Sequence, residues 1–113
     1  MSGISTHVLD LTRGRPAAGV EVRLWREAGG HWEEVSKRKT DADGRVKSML
    51  RENETVESGR YRLRFETGEY FREHGGEALH PFVEVAFEVR NASEHYHVPL
   101  LVTPHSYSTY RGS

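Results

Sequence analysis

RYRLRF at residues 60–65 places Tyr61, Leu63 and Phe65 on one side of an extended chain and Arg60, Arg62 and Arg64 on the other. That period of two is the pattern of a half-buried β-strand, with an apolar face for a core and a charged face for solvent. The same pattern recurs on both sides of it. Downstream, Val83, Val85, Phe87 and Val89 alternate with Glu84, Ala86, Glu88 and Arg90; NASE (91–94) makes a turn, and Tyr96, Val98, Leu100 and Val102 follow. The short turn predicts that these two runs pair as a hairpin. Upstream, a first strand runs from Ile4 to about Leu11, RGRPAAG is a loop, and Val20, Val22 and Leu24 alternate with Glu21, Arg23 and Trp25. Gly29 and Gly30 turn the chain into a strand from His31 to Lys39, and DADG (41–44) turns it into another from Arg45 to Leu50. RENETVESG reads as a loop, and EYFREH, between Gly68 and Gly76, is the one helix candidate. The fold class expected is all-β, a sandwich of seven to eight strands with one short helix.

Composition narrows function mostly by exclusion. Sixteen basic and seventeen acidic residues in 113 leave a net charge of -1, which gives no global attraction to nucleic acid or to an anionic membrane. With no cysteine there is no thiolate ligand, disulfide or Cys nucleophile, as suits a reducing compartment. The start, MSGISTHVLDL, lacks a basic region followed by an apolar run, and no stretch approaches the ~20 apolar residues of a spanning helix. Repeats, low-complexity tracts and linkers are missing. The expectation is one soluble cytoplasmic domain over residues 1–113.

Seven histidines make imidazole the first candidate for chemistry, since its proton exchanges near neutral pH. His95 and His97 lie on the strand face that Tyr96, Val98, Leu100 and Val102 do not use, and His7 shares a face with Ser5, Leu9 and Leu11. His7, His95 and His97 would also suit a three-nitrogen zinc site, although no carboxylate stands at a telling place to support one. G-x-S-x-G is missing, as are both glycine-rich phosphate motifs, so neither a serine triad nor nucleotide binding is expected. Arg60, Arg62 and Arg64 point away from the neighbouring aromatics, unlike a nucleic-acid platform, and read as a solvated or interface face.

Three stretches together, STHVLDLTRGRPAAGVEVRL (5–24), TDADGR (40–45) and HYHVPLLVTPHSYSTYRGS (95–113), resemble the 5-hydroxyisourate hydrolases, the enzyme branch of the transthyretin-like family. GRYRLRFETGEYF between them is similar too, and the YRGS ending separates the hydrolases from the hormone carriers that share the fold. The resemblance implies a transthyretin-like sandwich whose catalytic residues are His7, Arg45, His97 and Ser113. Substrate would be bound by His7, Arg45, Tyr110, Arg111, Gly112 and Ser113. It further implies a homotetramer with sites in a channel between subunits, and hydrolysis of 5-hydroxyisourate in urate breakdown. Imidazoles would move the protons, with no cofactor and no metal. The Ser113 carboxylate would orient water or substrate, and either histidine could be the base. The alternative is a transthyretin-type carrier of a small ligand without catalysis. TPHSY (103–107) departs from the family's more usual Ser-Pro-aromatic-Gly-Tyr, so His105 and Ser106 bear on the tail's conformation.

Overall fold

A computed structural model describes residues 3–113, and its core is made by the apolar faces of two sheets. The elements are β1 (Gly3–Asp10), β2 (Arg15–Pro16), β3 (Glu21–Ala28), β4 (His31–Lys39), β5 (Arg45–Val46), β6 (Gly59–Phe65), α1 (Thr67–Glu73), β7 (Val83–Val89), β8 (His95–Val102) and β9 (Tyr107–Thr109). One sheet runs β2-β1-β8-β9, with β5 also paired to β1, and the other runs β4-β3-β6-β7. Ile4, Val8 and Leu100 from the first sheet and Val22, Leu24, Leu63 and Phe65 from the second are fully buried. The alternation in residues 60–65 therefore does what its period predicts: its apolar side meets the opposite sheet and its arginines stay outside.

Nine strand segments form among the described residues, two of them only two residues long, where seven to eight were expected. The expected hairpin of the two late strands does not form. β7 pairs with β6, while β8 lies parallel to β1, so the chain crosses from one sheet to the other at Asn91–Glu94. The Tyr96 hydroxyl fixes that crossing by accepting the N–H groups of Arg90 (3.1 Å) and Asn91 (3.0 Å). Alternation reveals which side of a strand is buried but not which strand lies beside it.

Two strands end earlier than expected, each for a local reason. β1 stops at Asp10, whose Oδ1 accepts the N–H groups of Thr12 (3.0 Å) and Arg13 (3.1 Å), an Asx turn that bends the chain before Leu11. The strand expected from Arg45 to Leu50 keeps only Arg45 and Val46. Beyond them the chain folds inward to bury Met49 completely, with the Met49 N–H on the Ile4 carbonyl and the Ser36 hydroxyl on the Met49 carbonyl. The tail is held down, as β9 pairs with β8 and as a bridge between Gly112 and His97.

Candidate functional site

The outward face of the first sheet gathers the polar residues that period-two alternation excludes from the core. In the parallel register of β1 and β8, Ser5 lies opposite His97 and His7 opposite Pro99. On the other side of β1, the antiparallel register of β5 sets Arg45 opposite His7. Neighbouring strands are about 4.8 Å apart. Side chains distant in sequence are thus lined up across three adjacent strands by backbone pairing alone.

The DADG turn sets both Arg45 and His7. Asp41 Oδ1 accepts the N–H groups of Asp43 (2.9 Å) and Arg45 (3.0 Å), and these bonds, the one to Arg45 foremost, hold its carboxyl below the ordinary range. Gly44 has φ +75° and packs so closely that a Cβ would come within 2.5 Å of the Val8 carbonyl oxygen, so only glycine fits. The turn delivers the Asp43 carbonyl to His7 Nε2 at 2.9 Å. A carbonyl only accepts, so that nitrogen carries the hydrogen in the bond and Nδ1 is not the atom engaged by the turn.

From β1, the Ser5 hydroxyl stands between two imidazoles of β8, 2.8 Å from His97 Nδ1 and 2.7 Å from His95 Nε2. The tail closes on His97 from the other side: Gly112 N–H donates to the His97 carbonyl at 2.8 Å, and a Cβ on Gly112 would lie 2.5 Å from His97 Cδ2. Glycine at this point of YRGS lets the chain pass over the ring. Ser5, Arg45, Lys47, His95, His97 and Ser113 line an open depression of about 270 Å³, with His7 beside it as the strand neighbour of Arg45. Burial first, then the charges of Arg45, His7 and His95, push the His97 pKa below that of a free imidazole. A ring held uncharged in this way is ready to accept a proton.

His7, Arg45, His97, Gly112 and Ser113 therefore meet in one region. Tyr110 and Arg111 turn to the adjoining groove, which they line together with Val85, Phe87 and Tyr96. Arg111 pairs there with Glu94 at 2.8 Å and stacks 4.2 Å over the Tyr96 ring. Among the described residues, no three His, Cys, Asp or Glu side chains are gathered to hold a metal ion. Ser5 and Lys47 were not expected at the site. The available signal was period two, since Ser5 is two residues before His7 and Lys47 two after Arg45.

Comparison with known proteins shows the family and the fold. Residues 4–112 match the HIUase/Transthyretin family. The chain is 46% identical over 114 residues to the 5-hydroxyisourate hydrolase of Deinococcus radiodurans, covering 98% of this chain and 96% of that one. It is 50% identical over 120 residues to that of Halalkalibacterium halodurans, covering all of both. Among solved structures, Klebsiella pneumoniae 5-hydroxyisourate hydrolase superposes with a TM-score of 0.88 at 38% identity over the whole of both chains. Sea bream transthyretin in complex with thyroxine gives 0.90 at 28% identity, covering 97% of this chain and 94% of the other. Backbone likeness does not separate hydrolase from carrier; side chains at the site have to.

Proposed function

The chain belongs to the HIUase/transthyretin family, and we propose that it opens the ring of 5-hydroxyisourate through proton transfers by His97 and His7 beside the guanidinium of Arg45. The reaction is that of a hydroxyisourate hydrolase in urate breakdown. The observation that carries the assignment of residues is the line His7, Arg45, His97 across β5, β1 and β8, on the sheet face turned from the core.

His97 takes a proton from water at Nε2, because its Nδ1 is engaged by Ser5 and its surroundings keep the ring uncharged. The hydroxide oxygen bonds to the ring carbonyl carbon, and the negative charge that moves to the carbonyl oxygen is met by Arg45, whose planar fork reaches two acceptors. As the carbonyl re-forms, the C–N bond breaks. His7, protonated at Nδ1 for this step, gives that proton to the leaving nitrogen, and the ureido-imidazoline carboxylate departs. Gly112, against the His97 ring, and Ser113 wall the site, and Ser113 orients substrate. No cofactor or metal enters the scheme, so turnover should survive exhaustive chelation.

One domain over residues 1–113 carries this site, and a homotetramer completes it. The depression is open on a sheet face, so a second copy is needed to enclose a small ring. Sedimentation of a fully active monomer would contradict this assembly. No helix among the described residues is long and apolar enough to cross a membrane. We place the enzyme in the cytoplasm, which fractionation of the native protein tests. The decisive assay follows the absorbance of freshly generated 5-hydroxyisourate with the parent and His97→Asn. Tight binding without turnover by the parent would favour the carrier reading instead.

A further inference from the structure

The Ser5 hydroxyl has one hydrogen to give and stands within hydrogen-bond distance of two imidazole nitrogens, His97 Nδ1 and His95 Nε2. It donates to one and accepts from the other, so the tautomers of the two rings are tied together. If Ser5 donated to His97 Nδ1, the hydrogen of neutral His97 would be on Nε2 and the ring could not deprotonate water there. The arrangement compatible with a base is the reverse: His97 Nδ1–H donates to Ser5 Oγ, and Ser5 O–H donates to His95 Nε2. That leaves His97 Nε2 unprotonated and facing the depression.

From this geometry we infer that Ser5 and His95 form a proton relay behind His97, so that the proton taken from water comes to rest on His95. The inference builds on the reading of His97 as the base. In the relay His97 Nε2 gains the water proton, His97 Nδ1 passes its hydrogen to Ser5 Oγ, and Ser5 passes its own to His95 Nε2. Hydroxide is released towards the carbonyl carbon, His97 and Ser5 end neutral, and His95 ends as the imidazolium. One proton leaves water, one arrives on His95, and no oxidant or co-reactant is required.

The surroundings favour the displacement of charge. His97 is half-buried and has Arg45 and His7 close by, whose positive charge opposes an imidazolium there. His95 is exposed, and water can solvate the cation and carry the proton away. The groups facing the pair are Ser5 and His7 from β1, Arg45 from β5, Lys47 just beyond it, and Ser113 from the tail; Arg111 donates to the His95 carbonyl at 3.3 Å. No carboxylate side chain is in this set, and two of its members, Arg45 and Lys47, are cations. Ser5 and His95 are thus positioning and relay residues, and His97 alone touches the reacting water.

Steady-state kinetics on Ser5→Ala, Ser5→Thr, His95→Ala, His95→Gln and His97→Asn test the relay, each variant being compared with the parent by circular dichroism. Ser5→Ala and His95→Ala should each lower kcat on the order of tenfold or more with little change in KM, and the double variant should be no worse than either single one. Ser5→Thr keeps the hydroxyl and should retain activity. His95→Gln keeps a hydrogen-bonding side chain but cannot take a proton, and should be as slow as His95→Ala. Imidazole added to the buffer should restore His95→Ala and leave Ser5→Ala slow, and the parent's proton inventory in mixed H₂O and D₂O should curve. Near-parental kcat in both His95 variants would overturn the relay, even with Ser5→Ala slow, since Ser5 would then only orient His97. The assignment of the base fails separately, if His97→Asn stays active.

Discussion

The two sheets carry their charges on opposite terms. On the outward face of β3 and β6, each arginine has acidic company: Arg23 with Glu21 and Glu34, Arg60 with Glu88, Arg62 with Glu84, Arg64 with Glu66 and Glu84. On the outward face of β1, β5 and β8, Arg45 and Lys47 stand among three imidazoles, and among the described residues no salt bridge engages either cation. Paired charges cancel within a few ångströms and leave an inert, soluble surface. Unpaired ones leave a positive field, which the proposed mechanism sets against the carbonyl oxygen as it becomes negative. The abundant arginines of residues 60–64 are thus neutralised locally, and Arg45 is the uncompensated cation on which that mechanism draws.

The strongest way to break that contrast is to remove the imidazoles. His97→Asn and His7→Asn should each lose on the order of 10²-fold or more in kcat, with the circular dichroism unchanged because neither ring belongs to the buried core. Normal turnover in both would end the proposed mechanism. Arg45→Lys should have the next largest effect, on the order of tenfold in kcat/KM, because the ammonium keeps the charge but cannot hold two oxygens in one plane.

A pH profile sharpens the contrast further. The base works only when unprotonated, and burial together with Arg45 lowers the pKa of His97, so the acid limb of kcat/KM should lie below the ~6.5 of a free imidazole. Arg45→Gln removes a charge that opposes the imidazolium, which raises that pKa and moves the limb to higher pH. The return is partial, because burial, the largest cause, persists. A limb unmoved in Arg45→Gln would mean that the Arg45 field does not reach His97.

Much of this was legible in the chain. Period two separated His95 and His97 from the core-facing Tyr96, Val98, Leu100 and Val102, and it grouped His7 with Ser5. It could not reveal that β8 runs parallel to β1, because strand ends so far apart in sequence meet only once the whole sandwich is assembled. For that reason the expected hairpin of β7 with β8 failed, and the Ser5 hydroxyl between two rings was out of reach. YRGS stood out by resemblance, but its physical reason, a Gly112 that passes over His97 where no Cβ fits, belongs to tertiary contact. The helix candidate EYFREH (69–74) forms as Thr67–Glu73, starting two residues earlier and ending one earlier, the usual looseness of a helix end.

The smallest expected effect comes from the other sheet. Arg64 holds Glu66 at 2.6 Å, approaches Glu84 at 3.7 Å and stacks 3.7 Å over the Phe82 ring, whereas no salt bridge engages Arg45 among the described residues. Its side chain is nevertheless a third exposed. A surface ion pair of this kind contributes about 0–1 kcal/mol, and a cation over an aromatic ring at an exposed site about 0.5–1 kcal/mol. Arg64→Gln should therefore lower stability by about 1 kcal/mol in urea unfolding. The deficit should narrow in 0.5 M salt, where the Debye length of about 4–5 Å weakens the pair in the parent as well. Its kcat/KM should match the parent's within error, because the opposite sheet and the core lie between Arg64 and the imidazoles. If Arg64→Gln slowed turnover as much as Arg45→Lys does, compensated and uncompensated charge would be equivalent in this protein, and the distinction between its two faces would have no functional meaning.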